Sequence, residues 1–396
     1  MAKFDFQNSR YAKFFKSGDN INHLQKFLDE SDLFYTNYGW YKTQGSKDPL
    51  PTIAQPDGTL VFQMSARKLS AAPLMHLRAP LGDSPQGEKD GLTFYAATIP
   101  DFITDGFVET AMERDTREKI YAEFGNDSEI VAAWAENVQS KIDSVDATLT
   151  YMTAQLMSTG MIDYTGIGQG IHAPLHKANI PEDNFVTAGE TVWTDESCRI
   201  LTQMRKIEND YRDKFAYTGR LVWQMPRDMF FDVLLENEEV VELVNRYKQN
   251  PRAWVAYTDT QTPLETDFRN AVRDFYGLSE IEIVTEKERN NNGITNEFVN
   301  GWNQTAVVLR PAGEAVQFKW GYNLDQQLNR KYGAKSITKV WASTNDGLGT
   351  LVNTTLDNGQ FQEWHTDMMM TATPALRNFP YHYIIDTATA DASEEE

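Results

Sequence analysis

Between Asp127 and Thr159 the apolar residues recur at Val131, Trp134, Val138, Ile142, Val145, Leu149, Met152 and Leu156. Steps of three and four place them on one stripe of a helix. Glu136, Gln139, Asp143, Asp146 and Thr150 fall on the opposite face. Asn126 stands where a cap is wanted, with Glu129 in capping-box spacing, and Gly160 stands where a left-handed residue ends a helix. No proline interrupts the run. At helical rise it is a rod of about 50 Å, roughly three times the usual helix length. Such a rod needs a long partner. Thr148, Thr150, Thr153 and Ser158 make it a poor zipper. The expectation is a rod lying against β-structure of the same chain.

The 396-residue sequence as a whole is that of a folded globular protein, with 41 % hydrophobic and 12 % aromatic residues. Its length allows a sizeable core and two domains. The formal net charge of −20 argues against a general nucleic-acid binder, which needs a basic surface to displace counterions. Cys198 is the single cysteine, so no intramolecular disulfide forms, as befits a reducing compartment. No secretory signal and no eighteen-residue apolar run is present, and a cytosolic protein without a membrane span is expected.

Residues 1–48 are rich in aromatics (Phe4, Phe6, Tyr11, Phe14, Phe15, Trp40 among them) and locally basic, with Lys3, Arg10, Lys13 and Lys16 against Asp5. Two readings stand: an extended arm docking on an acidic neighbouring subunit, or a first helical segment folded onto its own domain. Two strand-like runs follow, Thr59–Met64 and Leu92–Ala97. More than twenty residues separate them, a long connection of the kind that is usually functional. The pair reads as a hairpin leaving the body. Isolated hairpins are marginal in water, so it is expected to find support on another molecule.

Further along, Met161–Tyr164 precedes a glycine-rich stretch from Gly166 to Gly170, which fails as a dinucleotide loop because Ile171 replaces the third glycine. His172 and His176 have metal-ligand spacing, but Pro174 disfavours the helix that would align them, and they read as structural or surface residues. A helix capped by Thr194 runs to Gly219, the strand Leu221–Met225 follows, and Pro226 sits at the first position of another helix. The carboxylates of Glu238–Val244 read as a solvated helix face. Thr262–Glu265 opens a further helix, and strands are expected at Ile281–Thr285, Thr305–Arg310 and Val316–Trp320. The Asn292–Gly293 step signals a hairpin, though its flanks look too polar for a tight strand pair. From Gln362 to Asp386 strand-like alternation returns. There Met368–Met370 reads as core, and Pro374 and Pro380 as an edge or a bend. The tail ending Glu394–Glu396 is expected to be mobile.

No linear catalytic motif stands out. There is no nucleophile elbow, no phosphate loop and no pair of cysteines, and Cys198 reads as buried filler. This lowers the odds of an enzyme, although triads assemble in space.

The order of parts resembles a tailed-phage major capsid protein of the Hong Kong 97 fold, most nearly the lambda-type family. The resemblance is carried by Leu149–Asp163, a helix end running into a strand; by Thr218–Asp228, a strand-to-helix step; by Leu235–Val240; and by Val307–Gly313. It implies an α+β chain with an N-arm at 1–48, an extended E-loop hairpin at 49–105, and a peripheral domain at 106–189 holding the spine helix 127–159. An axial α/β domain at 190–362 would follow, then a return to the peripheral domain and an acidic tail at 363–396. It further implies self-assembly into hexamers and pentamers around packaged DNA, with portal, scaffold, decoration or head-completion proteins as partners, and with neither cofactor nor metal. Lys3, Arg10, Lys13, Lys16, Arg67, Lys68 and Arg78 become candidate subunit-contact residues. No long charged N-terminal extension is present to serve as a fused scaffold. No partner residue can be matched to Lys68 or Lys89 for cross-linking. An encapsulin-type compartment, a metal-dependent hydrolase using His172 or His176, and an elongating tail component are the rival readings.

Overall fold

The structure, a computed structural model, describes residues 45–47, 53–54, 60–66, 69, 93–99, 103–110, 112–113, 116, 140, 144, 147–164, 175–189, 191–248, 263–285, 288–291, 296–320, 339–343, 351–356, 364–370 and 372–390. Its centre is a mixed five-stranded sheet in the order Glu280–Val284, Leu221–Pro226, Ala306–Pro311, Tyr383–Asp386, Phe185–Thr187. The two outer pairings are parallel and the two inner ones antiparallel. Leu221–Pro226 and Ala306–Pro311 are buried at every residue, which explains their nearly unbroken apolar text.

On one face Leu221, Trp223, Met225, Val307, Leu309, Tyr383 and Ile385 enter a core with the helices Ile200–Phe215, Glu238–Lys248 and Glu265–Phe275. Against the opposite side runs the helix through residues 147–159, the C-terminal part of the long periodic run. Its Met157 carbonyl accepts a hydrogen bond from His382 Nε2 at 2.7 Å, and its Ser158 Oγ accepts one from the Asn303 amide at 2.9 Å. The rod thus lies against β-structure of its own chain over this length, as its sequence leads one to expect. The stripe residues Leu149, Met152 and Leu156 are fully buried.

The polar face does not hold at this end, because Thr150, Thr153 and Ser158 are buried too. A small hydroxyl can enter a core by bonding back to its own helix, as Ser158 does to the Ala154 carbonyl at 2.9 Å. Gly160 then ends the helix at φ 73°, and Met161–Asp163 pairs with Leu175–Lys177 as a short ribbon.

Three boundaries differ from the sequence reading. The helix expected from Thr194 starts at Ile200, since residues 194–197 form a turn in which Asp195 Oδ1 accepts the amide and hydroxyl of Ser197. It ends at Ala216, in the left-handed region at φ 47°, rather than at Gly219. Pro226 closes the strand, and the expected helix follows at once, with helical residues 227–228 leading into the π-helical segment Met229–Leu234. Around Asn292, the polar strands Glu288–Asn291 and Asn296–Val299 do pair, because a ladder of backbone bonds does not require apolar side chains.

The expected hairpin is present, pairing Leu60–Ala66 with Thr93–Ile99 from Leu60↔Ile99 to Ala66↔Thr93. A three-stranded sheet carries Gly45–Lys47, Val316–Trp320 and, as its proline-containing edge, Ala372–Leu376. Met368–Met370 belongs to the strand Trp364–Met370, which lies between Leu351–Leu356 and Ile103–Glu109.

Candidate functional site

The hairpin meets the body at a buried junction. Phe62, Met64 and Ala66 point inward with Tyr95, while Gln63, Ser65, Phe94 and Ala96 face outward. Strand alternation dictates this division, and the register places Met64 opposite Tyr95. The Tyr95 hydroxyl accepts the Leu376 amide at 3.0 Å, and its ring meets Phe379 edge-on at 4.8 Å. Next along the chain, the Leu69 amide donates to the Tyr381 hydroxyl at 2.7 Å. The hairpin is therefore supported by its own chain at Phe62–Ala66, Tyr95 and Leu69, which corrects the expectation that its support comes from another molecule. The apolar pattern of the strands needed a face to cover it, and the ribbon and C-terminal segment provide one.

His176 sits inside this junction. It contacts the ring of Phe62 edge-on at 5.5 Å and stacks toward Tyr95 at 6.3 Å. Its Nδ1 lies 3.4 Å from the Thr373 hydroxyl, which shares a 2.8 Å hydrogen bond with the Tyr164 hydroxyl. Its Nε2 is buried and finds no hydrogen-bond partner among the described residues. Burial pushes the imidazole down to about 3, so it is neutral at ordinary pH. This is a core histidine in an aromatic box, not a ligand in an open cleft. His172 lies outside the described residues.

Two further polar groups organise the body. Glu208, nearly inaccessible, accepts from Trp223 Nε1 at 3.1 Å, from the Ser279 hydroxyl at 2.7 Å and amide at 3.1 Å, and from Arg212 at 2.8 Å. Burial by itself would raise this carboxyl, but the donors outweigh it and hold the group below the usual range. Arg310 is buried between strands, with Nε donating to Gln224 at 3.0 Å and Nη1 to the Gly313 carbonyl at 2.8 Å. Burial lowers its guanidinium, and Glu282 at 3.5 Å opposes that. Both arrangements tie the central sheet to its neighbours.

A cleft of about 590 Å³ opens beside the hairpin junction, lined by Phe94, Met161, Ile180 and Phe185 with Lys177 and Glu182. Phe94, Met161 and Phe185 are three of the exposed large apolar side chains among the described residues. A smaller acidic cleft lies by Glu196, Glu238, Glu239 and Glu242. Among the described residues no group of three or more His, Cys, Asp or Glu could hold a metal ion, and no helix is long and apolar enough to cross a membrane. Cys198 is buried, as expected of filler, and burial pushes its thiol up, away from the reactive thiolate.

The candidate contact residues Lys3, Arg10, Lys13, Lys16, Arg67, Lys68 and Arg78 all lie outside the described residues, as do Gly166–Gly170. Sequence reasoning missed Glu239. Taken there as part of a solvated face, it instead accepts the amides of Leu201 and Thr202 at 2.8 and 3.3 Å.

No family model matches the sequence, and no curated protein does. Solved structures do match. A prophage protein of Escherichia coli CFT073, assigned to the capsid, aligns over 92 % of this chain and 98 % of its own, with TM-score 0.50 and 14 % identity. The mature capsid of bacteriophage PhiM1 aligns over 89 % and 88 %, with TM-score 0.45 and 10 % identity. A phage-related protein of Bordetella bronchiseptica RB50 aligns over 93 % and 96 %, with TM-score 0.45 and 13 % identity. The first of these places the chain in the fold of that prophage protein, nearly end to end.

Proposed function

We propose that this chain is the major capsid protein of a tailed bacteriophage, building the icosahedral head from pentamers and hexamers of itself. The observation that carries the reading is the end-to-end likeness in fold to the prophage capsid protein, reached independently of sequence identity. The hairpin and the helix running onto the five-stranded sheet agree with it, since they fall where the sequence resemblance puts an E-loop and a spine helix.

In this reading residues 1–48 are the N-arm, 49–105 the E-loop, 106–189 the peripheral domain, 190–362 the axial domain and 363–396 the return with its acidic tail. The fold is of the Hong Kong 97 type. Lys3, Arg10, Lys13, Lys16, Arg67, Lys68 and Arg78 would meet acidic surface on neighbouring copies, where a chain of net charge −20 offers abundant carboxylate. The same excess of negative charge suits a wall that encloses DNA without gripping it. The role is structural and not catalytic. Portal, scaffold, and decoration or head-completion proteins are the expected partners, assembly takes place in the host cytoplasm, and the mature location is the virion.

Sedimentation of the purified chain tests the reading. Species of five or six chains, or larger closed particles, are expected as concentration rises. A single monomeric boundary at every concentration, with co-expressed scaffold candidates included, would overturn it.

A further inference from the structure

The junction under the hairpin holds one ionisable ring with nothing to receive its proton. His176 is shut in by Phe62 and Tyr95 of the hairpin, Tyr164 after the ribbon and Thr373 of the C-terminal edge strand. Among the described residues the groups in contact with it are neutral; the charged side chains on the elements packed against it are Asp163, next to its strand partner Ile162, Lys177 on its own strand and Lys319 on the strand beside Thr373. The hairpin presents the Tyr95 phenol, whose hydroxyl is already committed to the Leu376 amide. Tyr164 is committed to Thr373. Both phenols are pushed up by burial and stay uncharged. Lys319 stands opposite Thr373 on the adjacent strand, itself buried and donating to Gln317 at 2.6 Å. No ion pair joins His176 to a carboxylate among the described residues.

We infer that His176 is an acid-sensitive latch that holds the hairpin on the body. A proton taken from solvent turns its ring into a cation caged by aromatic edges and a single hydroxyl, with Nε2–H facing no acceptor. The seated hairpin cannot satisfy that charge, whereas the lifted hairpin exposes it to water. Acid therefore unseats Leu60–Ala66 and Thr93–Ile99 while the five-stranded sheet, which His176 does not touch, stays closed. This inference rests on the junction alone and survives if the capsid reading fails.

The direction follows from linkage. The imidazole of the seated form stays deprotonated down to about 3, against an ordinary value near 6.5. Seating is fully favourable above that ordinary value and weakens as pH falls below it. The opening constant rises about tenfold per pH unit between about 6.5 and 3, or roughly 100-fold at pH 4.5. His382, the other buried histidine, is bonded to the Met157 carbonyl and titrates against the helix–sheet interface instead.

Hydrogen exchange of the full-length protein, expressed as protection factors from pH 7 to pH 4.5, tests this. In the wild type, amides of Phe62–Ala66 and Thr93–Ile99 are expected to lose about 100-fold in protection while those of Val307–Leu309 change far less. His176→Gln should abolish the slope at the hairpin, and His382→Gln should leave it in place. Equal slopes in wild type and H176Q, or simultaneous loss across hairpin and central sheet, would overturn the latch. Should H176Q not fold, the wild-type imidazole resonance of His176 decides. Protonation coinciding with hairpin opening supports the latch, and protonation near pH 6.5 with the hairpin still protected refutes it.

Discussion

Glu239 caps a helix to which it does not belong. Its Oε2 accepts the Leu201 amide at 2.8 Å, across 38 residues of sequence, and Oε1 accepts the Tyr276 hydroxyl at 2.8 Å. The helix Ile200–Phe215 has Arg199 at its cap position, with no side-chain bond of its own, so its free amides and positive end fall to this carboxylate. Nearby, Asn237 Nδ2 donates to the Cys198 carbonyl at 2.8 Å and completes the joint.

Replacing Glu239 by Ala should lower the stability of the body by about 1–2 kcal/mol, the usual cost of a lost cap with part of a dipole interaction. Tyr276→Phe removes a single partly exposed bond and should cost about 1 kcal/mol or less. Urea unfolding followed by tryptophan fluorescence measures both. Equal, negligible effects would mean that the helix start is satisfied by water.

Glu208 gives the central sheet a pH dependence of the opposite origin to that of His176. Its carboxyl is held below the usual range in the folded chain, so its contribution is complete above its unfolded value near 4.5. That contribution is lost as pH falls through the lower folded value. Glu208→Ala strands Trp223, Ser279 and Arg212 and should cost about 3 kcal/mol. Glu208→Gln should flatten the acid limb of the stability curve. A Gln variant with an unchanged acid limb would show that other carboxylates set it.

Two glycines hold the central helix in place for different reasons. Gly160 adopts φ 73°, and a Cβ there would come 2.9 Å from Ile180 Cδ1, the movable end of a side chain. Gly301 packs directly on the helix backbone, where a Cβ would collide with the Tyr151 carbonyl oxygen. Gly160→Ala should cost about 1–2 kcal/mol through the left-handed backbone. Gly301→Ala should cost more, because the loop from Gly301 to Asn303 must move and the Asn303–Ser158 bond goes with it. Thermal melts that rank the two in the reverse order would place the strain in the turn and not at the contact.

Where one local rule governed, the sequence was readable. The run Thr59–Met64 foretold a strand, and the steps through Leu149, Met152 and Leu156 foretold the buried stripe. Pro226 shifted the helix start by one residue only, because its fixed φ suits a strand end as well as a first helical turn, and the parallel pairing with Val284 keeps it in the strand. Thr194 looked like a cap, yet Asp195 binds Ser197 and delays the helix to Ile200. Glu239, His176 and Thr150 could not be read locally. The first acts on another helix, and the burial of the other two is set by chain segments remote in sequence. The junction that supports the hairpin was invisible for the same reason, since Tyr95 finds Leu376 across 281 residues.

Electron microscopy of the purified, full-length protein, paired with its mass in solution, tests the capsid assignment most directly. The account predicts closed shells of uniform size, or regular rings of five and six subunits. A compact monomer that persists at high concentration and in the presence of candidate scaffold proteins would contradict it.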